Sequence, residues 1–499
     1  MGVSMVSEGR VSSFKIRAMD LRREGSSVII NWVLSEKGEP DLAVFERGMR
    51  QVEDLINDPT VSDYRVIGRS PASAQVKFAA PNVPGHGFRS FWVRVKDSTS
   101  SALAASASAE AVAAHAEPVL VPDTIENSFF SVTAMPDGSL DVLDKRTGIL
   151  YHGQNRLVDG GDRGDEYNYS APPTDPLISA SLDSVLVERS EVQQTLVLNL
   201  RLDIPVELAG DRQARGTQRV SLPVTSRISL TAGVPRIDVQ TSLDNQARDH
   251  RLRVHFSAPF AVSTAAYDGH FEVVQRPLGR PAFDVSWVEQ PRPEQPQRAF
   301  TAVSDGQNGL LIANRGLPEV EVLPGEDGHA AIAVTLLRCV GWLSRGDIPE
   351  RNGHAGPGAP TPGAQMAGPW TFDYSIVPFE ETQRLAAYEQ AYAFETPLRA
   401  ASAGFHPGPL PSEGALIQVE PAGFTLSTVK KAEDGSGWVV RGYNLTGQDM
   451  LVRMMPGLAY QAAQVVNLAE EKLADLVPEA NGAITCPVRG HQILTVLFR

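Results

Sequence analysis

Long runs of this sequence alternate between apolar and polar residues with a period of two. The segment TLVLNLRLDIPV places six aliphatic side chains on one face and Asn199, Arg201 and Asp203 on the other. The six are Leu196, Leu198, Leu200, Leu202, Ile204 and Val206. This pattern predicts a half-buried β-strand, because successive side chains of a strand point to opposite faces of the sheet.

Two further segments show the same period. RISLTAGVPRIDVQTSL repeats it on both sides of a Gly-Val-Pro turn, which predicts a hairpin. RLRVHFSAPF directs Leu252, Val254 and Phe256 towards a core. The other face of this strand, predicted to be exposed, carries Arg251, Arg253 and His255. With 42 glycines and 36 prolines separating such runs, the sequence is typical of antiparallel β-sandwiches.

One segment near the N-terminus has a helical period instead. In DLAVFERGMRQVEDLINDP, apolar residues recur at spacings of three and four, and Pro59 ends the run. The recurring residues are Leu42, Phe45, Met49, Val52 and Ile56. We expect a single short helix that faces a core.

Composition divides the chain into three parts. Residues 98–117 are rich in Ala and Ser and predict a linker or a marginal helix, and Pro and Gly crowd residues 402–414. We therefore predict a small β-rich (α+β) domain at 1–97, the linker at 98–117, a large β domain at 118–401 and a C-terminal β domain at 412–499.

Charge and cysteine content exclude several classes of protein. The formal net charge of −14 argues against a nucleic-acid-binding surface, which needs clustered basic residues. No run of about 18 apolar residues predicts a membrane span. Cys339 and Cys486 lie far apart in sequence, which favours two buried thiols over one disulfide. Because MGVSMVSEGR lacks the apolar region of a signal peptide, we expect a cytoplasmic protein.

Polar side chains able to bind a polyol crowd the stretch VDGGDRGDEYNYSAPP, residues 158–173. They are Asp162, Arg163, Asp165, Glu166, Tyr167 and Tyr169. Sugar recognition combines planar polar groups, which bond hydroxyls, with aromatic faces, which pack against C–H groups. The alternative interpretation is a solvated glycine-rich loop held by local turns.

A second polar segment, residues 338–365, begins as a strand and continues as a long loop rich in Gly and Pro. It carries Arg345, Asp347, Glu350, Arg351 and His354. Long loops are often functional, although internal salt bridges would explain these residues equally well. A third segment, residues 309–322, contains Asn314, Arg315 and Glu319. We interpret it as a strand followed by a structural turn.

The motifs of several enzyme classes are missing. There is no His-x-Asp, no His-Glu-x-x-His, no Gly-x-Ser-x-Gly and no phosphate or dinucleotide loop. The ten histidines are scattered singly, so we expect no metal site within this chain. A glycosidase needs two carboxyl groups about 5 Å apart for retention of configuration, or roughly 6.5–9.5 Å apart for inversion. The candidate pairs are Asp162 with Asp165 and Asp165 with Asp347, and the sequence alone does not give their separations.

Several segments together resemble the C-terminal half of glycoside hydrolase family 38, the α-mannosidases and mannosylglycerate-hydrolase-like enzymes. They are DGGDRGDEYNYSAPP, NRGLPEVEV, LLRCVGWLSRGD with RNGHAGP and TPGAQ, and STVKKAEDGSGWVVRGYN. VKFAAPNVPGHGFRSFWVRV, at 76–95, resembles the segment that precedes that half. The resemblance implies a mainly β fold, with a mutarotase-like β supersandwich at its centre, smaller β-rich domains beside it and one short helix near the N-terminus.

The same resemblance implies where the chemistry lies. Family 38 enzymes bind zinc and carry an Asp nucleophile on an N-terminal barrel, which we do not find in this sequence; zinc is therefore expected for the full-length enzyme and not for this chain alone. The C-terminal part of the family supplies side chains that hold the sugar. The corresponding substrate-binding candidates are Asp165, Tyr167, Tyr169, Arg345, Asp347, Arg351 and His354. We assign them substrate positioning, and no catalytic residue.

These observations give one leading hypothesis and two alternatives. The leading hypothesis is the substrate-binding and structural part of an α-mannosidase-like hydrolase that acts on α-mannosides. The chain would be a truncated or split product, or it would pair with a separate barrel chain. Whether this chain is itself an enzyme stays open, and an oligomer is possible. The alternatives are a non-catalytic carbohydrate-binding or scaffold protein, and a mutarotase-like epimerase that uses His255 or His354.

Overall fold

A computed structural model describes residues 6–7, 9–11, 14–35, 39–69, 76–93, 123–325, 328–402 and 408–499. The predicted linker at 98–117 lies outside these residues. The chain divides into two compact units, Met1–Phe78 and Ala79–Arg499. The domain boundaries given above stay predictions.

The first unit is a five-stranded sheet with one helix. Its elements are β1 (Val6–Ser7), β2 (Arg10–Val11), β3 (Phe14–Glu24), β4 (Ser27–Ser35), α1 (Leu42–Ile56) and β5 (Asp63–Arg69). The strands follow chain order in the sheet, and β5 pairs with β4 in parallel.

Helix α1 is the predicted N-terminal helix, and the Asp41 side chain caps it by accepting from Val44 N at 3.0 Å. Val52 is buried in a core shared with Ile16 and Trp32, as the spacing predicts. Leu42 and Ile56, at the two ends of the helix, are instead half exposed, at 50% and 53%. The core therefore covers only the middle turns of the predicted apolar face.

The second unit contains the remaining elements. Its N-terminal and central strands are β6 (Gly87–Arg89), β7 (Thr124–Glu126), β8 (Phe130–Ala134), β9 (Leu140–Asp144), β10 (Leu150–Gln154), β11 (Arg156–Gly161), β12 (Ile178–Ser179), β13 (Ser181–Arg189), β14 (Gln193–Pro205), β15 (Arg219–Thr231), β16 (Ile237–Asn245), β17 (His250–Ala261), β18 (Thr264–Asp268), β19 (Val273–Pro277), β20 (Gln295–Pro296), β21 (Phe300–Ser304), β22 (Asn308–Asn314), β23 (Glu319–Pro324), β24 (His329–Arg338) and β25 (Gly368–Glu380).

The rest of this unit comprises a helix and the C-terminal strands. They are α2 (Arg384–Glu395), β26 (Glu413–Ala415), β27 (Ile417–Glu420), β28 (Phe424–Lys431), β29 (Trp438–Asn444), β30 (Met450–Pro456), β31 (Ala463–Val466), β32 (Lys472–Leu476), β33 (Ile484–Val488) and β34 (Ile493–Phe498). Short 3-10 helices occupy Pro362–Gln365 and Glu381–Gln383.

Two large sheets form the centre of the second unit. One has nine strands in the order β13-β14-β15-β16-β25-β22-β21-β18-β19, and the other has six in the order β12-β11-β17-β24-β23-β20. A single apolar core includes residues of both sheets, among them Leu198 and Phe256. The predicted hairpin is β15–β16, and the inward residues of β14 from Leu196 to Ile204 are buried. The predicted mainly β supersandwich is therefore confirmed.

The prediction for the outer face of β17 is wrong. Arg251, Arg253 and His255 were expected to be exposed, but their exposed fractions are only 4%, 8% and 4%. The Tyr169 ring covers the Arg251 guanidinium, with 3.3 Å from Cζ to the ring centroid, and Glu321 accepts from Arg253 Nη1 at 2.6 Å. The aromatic ring and the paired carboxylates bury this face, although the polarity of its side chains alone predicts that it is exposed to solvent.

A small C-terminal sandwich follows the large one. A three-stranded sheet, β27-β30-β33, shares a core with the five-stranded sheet β28-β29-β34-β31-β32. Helix α2, which the sequence analysis did not predict, packs Tyr388 on Phe300 of the nine-stranded sheet, with ring centroids 4.5 Å apart. Cys339 and Cys486 are both buried free thiols. No helix among the described residues is long and apolar enough to cross a membrane.

Candidate functional site

The stretch 158–173 begins on β11 and forms a tight loop at the end of that strand. Arg163 N donates to Ser170 O at 2.8 Å, and Asp165 N donates to Asn168 O at 3.0 Å. Gly164 permits this close turn, because a Cβ at this position would lie 2.0 Å from Asn168 O.

The two aspartates of this loop point inward and are fully buried. Asp162 Oδ1 accepts from the amides of Gly164 and Ser170, and its Oδ2 accepts from Arg338 Nε at 2.8 Å. Arg338 also donates to Asp165 O at 2.5 Å. The Asp162 carboxylate therefore ties the loop to the end of strand β24.

Asp165 joins this loop to the second polar segment predicted from the sequence. Its Oδ1 accepts from Tyr167 N at 3.0 Å and Asn168 N at 2.9 Å. Its Oδ2 accepts from Arg345 N at 2.7 Å and from Arg351 Nη2 at 2.5 Å. Arg351 also donates to Asn168 Oδ1. The structure thus brings residues 158–173 and 338–365 together, and protein donors occupy both oxygens of Asp165.

The two predicted tyrosines have different environments. Tyr167 is 54% exposed, and its hydroxyl lies above Gly356, where a Cβ would come within 2.9 Å. Tyr169 points back over the sheet and stacks on Arg251. Only Tyr167 presents its ring to the surroundings.

The remaining predicted residues lie on the loop 344–358. Arg345 forms a bidentate pair with Asp347, at 2.8 and 2.6 Å, and the Asp347 side chain is 61% exposed. His354 is exposed and packs against Gly346 and Gly358. Arg351, at 5% exposure, is buried beneath them. All seven predicted residues therefore lie on or beside two joined loops, and their role in substrate binding stays a prediction.

The third polar segment touches the underside of the site through Arg251, whose Nη1 lies 3.6 Å from Glu319 Oε1 and whose guanidinium stacks on Tyr169. Arg315 Nε donates to Phe394 O at 2.7 Å on α2, and Glu319 Oε1 accepts from Thr335 Oγ1 at 2.6 Å on the outer face of the six-stranded sheet. Both contacts are structural, as expected for this segment.

A loop around residues 284–290 also borders the site, although sequence reasoning did not select it. Its Glu289 Oε1 accepts from Asn168 Nδ2 at 2.7 Å, and Val288 O accepts from Asn352 N at 2.8 Å. The loop exposes Val285, Trp287 and Val288, at 93%, 55% and 69%. Three apolar residues within four positions, in a segment bounded by Pro281 and Pro291, are the sequence signal that was available.

The carboxylates of the site differ in their electrostatics. Burial raises the pKa of Asp162, against the opposing charge of Arg338. Burial also acts to raise the pKa of Asp165, but hydrogen bonds from Arg351 and from backbone amides outweigh it and lower the pKa below its ordinary value. The Arg345 hydrogen bonds lower the pKa of Asp347. Asp165 and Asp347 are thus anions engaged by arginine, which does not suit a pair that exchanges protons with a substrate.

A buried ionic pair underlies the same loops. His250 Nδ1 lies 2.6 Å from Asp159 Oδ2, and Arg215 Nη1 donates to Asp159 Oδ1 at 2.5 Å. Burial acts to lower the pKa of His250, but the Asp159 charge overcomes it and the pKa rises to about 10. His255 has no such partner, and burial with neighbouring arginines lowers its pKa to about 3. An imidazole of that pKa has no acidic proton to give near neutral pH, which argues against His255 as a general acid.

The donor groups present do not fit a zinc ion. Across the part of the chain that the structure describes, no group of three or more His, Cys, Asp or Glu side chains is arranged to hold a metal. Arginines engage the carboxylates of Asp162, Asp165 and Asp347, as described above. We therefore derive no step through a metal in this chain.

The domains that carry these loops match known families. Residues 125–345 match the "Glycosyl hydrolases family 38 C-terminal domain", and residues 423–496 match the "Glycosyl hydrolases family 38 C-terminal beta sandwich domain". The chain contains the C-terminal domains of glycosyl hydrolase family 38. The first match includes the loop 158–173 and ends at Arg345, and the second covers most of the small sandwich.

Individual relatives in family 38 are longer than this chain. A "Putative mannosylglycerate hydrolase" of Halalkalibacterium halodurans is 27% identical over 399 residues, which are 75% of this chain and 41% of the relative. The structure of an α-mannosidase from Enterococcus faecalis V583 is 29% identical with a TM-score of 0.65, covering 77% of this chain and 42% of that one. A second family 38 structure from Enterococcus faecalis is 28% identical with the same TM-score of 0.65, and covers 77% and 44%. The chain therefore spans less than half the length of each of these relatives.

Proposed function

We propose that this chain is the substrate-binding and structural part of an α-mannosidase-like glycoside hydrolase that acts on α-mannosides. One observation carries the proposal: two segments about 180 residues apart in sequence meet at Asp165 and hold the exposed Tyr167 ring at their junction. An exposed tyrosine fixed by a rigid base suits a sugar, because the ring packs against C–H groups while its hydroxyl bonds a polar group.

The seven predicted residues then divide by depth. Tyr167, Asp347 and His354 are exposed and would contact the mannosyl group, together with the partly exposed Arg345. Asp165, Arg351 and Tyr169 lie below and would fix the loops in place. This arrangement binds and orients a substrate, and preorganised positioning is itself a large part of catalysis.

In this proposal the bond-breaking groups belong to another part of the enzyme. Zinc and the Asp nucleophile would come from an N-terminal barrel outside these residues, on a separate chain or on a longer one. The family matches fall on C-terminal domains, and the matched region is 41% of the Halalkalibacterium relative, which supports this division.

Calorimetric titration with methyl α-D-mannoside tests the binding role. We expect binding by the unaltered chain, loss of that binding in Tyr167→Ala, and partial retention in Tyr167→Phe, which keeps the ring. Tyr64→Ala is the control, since Tyr64 is also partly exposed, at 39%, but lies in the first unit. Equal affinity of the unaltered chain and Tyr167→Ala would contradict the proposal.

Hydrolysis by the purified chain tests the division of labour. We expect no release of nitrophenol from 4-nitrophenyl α-D-mannoside, with or without added zinc. Turnover by this chain alone would show that it carries its own nucleophile. Sugar binding that persists, with no hydrolysis even after any companion barrel chain is added, would favour the alternative of a non-catalytic carbohydrate-binding protein.

A further inference from the structure

Strand β5 forms one end of the five-stranded sheet in the first unit. It pairs in parallel with β4 over its whole length, Asp63–Arg69, with no shift of register. No described strand pairs with its other side, so a row of backbone N–H and C=O groups there can accept a further strand. The sequence DYRVIGR includes aromatic and β-branched residues, which favour an extended backbone.

The other long edge strands of the described sheets carry features that hinder such pairing. Register shifts interrupt β10, β13, β28 and β32 against their neighbours. Pro277 lies in β19 and Pro487 lies in β33. Bulges and prolines both protect a sheet edge from another chain. Among the described edge strands of five or more residues, β5 alone lacks both features.

The side of β5 that faces helix α1 is apolar and partly exposed. Tyr64 and Val66 have exposed fractions of 39% and 43%. The Tyr64 hydroxyl donates to Leu55 O of α1 at 2.8 Å, and the next residue of that helix, Ile56, is 53% exposed. An apolar border therefore runs beside the edge of the sheet, where a further strand would cover it.

The opposite side of β5 carries charged residues. Asp63, Arg65 and Arg69 are exposed and point to this side, because alternate residues of a strand share a face. None of the three makes an ion pair or a side-chain hydrogen bond with a described residue. These charges are therefore available to determine how a further strand aligns with β5.

The spacing of these charges restricts how β5 can pair with β5 of a second copy. A two-fold axis perpendicular to the sheet makes the two strands antiparallel and opposes residues of the same face. A register centred on Arg65 opposes this residue to itself. A register centred on Ile67 opposes Arg65 to Arg69 twice. Like charges directly opposite each other are destabilising, which disfavours both registers.

The register centred on Val66 is favourable at each face and aligns the whole strand. It opposes Asp63 to Arg69 twice, as pairs of opposite charge. On the other face it opposes Tyr64 to Gly68 twice and Val66 to itself. An aromatic ring opposite a glycine covers the backbone that the glycine leaves bare. The sequence of β5 is therefore complementary to itself in this one register.

We propose that the chain forms a symmetric dimer in which β5 pairs antiparallel with β5 of a second copy, in the register centred on Val66. The two five-stranded sheets then become one continuous sheet. This inference goes beyond the proposed function and does not depend on it, because every residue of the candidate site lies in the second unit.

Sedimentation equilibrium of the full chain over a concentration series tests the dimer. We expect a mass of twice 53.8 kDa at high concentration, with reversible dissociation on dilution. A mass of 53.8 kDa across the whole series would overturn the proposal.

Charge reversal tests the register. Arg69→Asp and Asp63→Arg each oppose like charges twice, so each should weaken association about tenfold or more. An equimolar mixture of the two variants restores two pairs of opposite charge and should dimerise like the unaltered chain. Asp20→Arg is the matched control, since Asp20 is an exposed acid on the same face but lies on β3, inside the sheet, and should leave association unchanged.

Each other outcome contradicts the proposal. A dimer that persists in both single variants would place the interface elsewhere. Variants that are monomeric alone and stay monomeric when mixed would contradict the register. Should a variant fail to fold, hydrogen exchange of the unaltered chain replaces it. Amides in Asp63–Arg69 should then exchange more slowly as concentration rises, and exchange that is independent of concentration would overturn the dimer.

Discussion

Two sets of polar residues in and beneath the loops of the candidate site behave in opposite ways. The inner network consists of Asp159, Asp162 and Asp165 with their cationic partners Arg215, His250, Arg338 and Arg351, and its carboxylates are fully buried. The outer group consists of Tyr167, Arg345, Asp347 and His354, which are exposed or partly exposed. Burial determines which of these chemically similar residues hold the loops and which can meet a ligand.

The difference lies in how each ion is compensated. A buried carboxylate loses its hydration and is stable only when donors replace the water, so the four donors on Asp165 are a condition of its burial. An exposed group such as Asp347 keeps its hydration and can exchange partners cheaply. The residues that suggest sugar binding in the sequence therefore fall into two groups. The buried ones hold the loops in place, and the exposed ones are available to contact a ligand.

The sharpest test of this comparison is Arg351→Met, which leaves Asp165 without its cation. We expect the free energy of unfolding to fall by about 3–5 kcal/mol, the usual cost of an uncompensated buried charge. Urea unfolding followed by tryptophan fluorescence would measure it. Arg345→Met, in the outer group, is the control and should cost less than about 1 kcal/mol.

A double variant sharpens the same test. Asp165→Asn in the Arg351→Met background removes the orphaned charge and should recover part of the lost stability. If Arg351→Met lowers the free energy of unfolding by no more than Arg345→Met does, the inner network is not essential for stability.

The second prediction concerns the pH dependence of stability through His250. Its pKa is raised in the folded protein to about 10, so its stabilising contribution is fully present below the unfolded pKa of about 6.5. That contribution is lost as pH rises from there through the folded value, and amounts to a few kcal/mol. The free energy of unfolding, measured at intervals from neutral pH to about 10, should therefore fall, and the fall should be shallower in His250→Gln. Parallel profiles would contradict the assignment of a charged His250.

The third prediction uses the backbone beneath Tyr167. Ala at position 164 would place its Cβ 2.0 Å from Asn168 O, so Gly164→Ala should cost about 1–3 kcal/mol and move the Tyr167 ring. Gly210→Ala is the matched control, because no atom lies within 4 Å of a Cβ there. Thermal unfolding measures the cost. An equal, small effect at both positions would mean that the loop adjusts freely and does not hold Tyr167 in place.

The sequence predicted the scaffold well because alternation reports burial directly. Leu198 and Leu200 of β14 are buried as their period requires, and the hairpin at β15–β16 forms at its Gly-Val-Pro turn. The same reasoning failed on the other face of β17, since a strand buried on both sides can carry arginine when aromatic rings and carboxylates cover it. The alternation shows that successive residues of a strand have different environments. It does not show whether solvent or other parts of the protein cover the polar face.

The sequence was sufficient to select the two polar segments of the candidate site, but it did not predict which of their side chains are buried. Dense charges among glycines drew attention to residues 158–173 and 338–365. The inward turn of Asp165 depends on Arg345 and Arg351, 180 and 186 residues away, and no local pattern encodes those contacts. The loop at Trp287 was missed for the same reason, since it borders the candidate site only through contacts such as that of Glu289 with Asn168.

The smallest expected effect on stability separates the two sets of residues most cleanly. Asp347 is exposed and paired with Arg345, so Asp347→Asn should change the free energy of unfolding by less than about 1 kcal/mol. In the proposed function the Asp347 side chain contacts the mannosyl group, so the affinity for methyl α-D-mannoside should fall. Urea unfolding and calorimetry on one protein preparation measure both quantities. If Asp347 instead belonged to the buried network, the substitution would lower the free energy of unfolding by clearly more than about 1 kcal/mol.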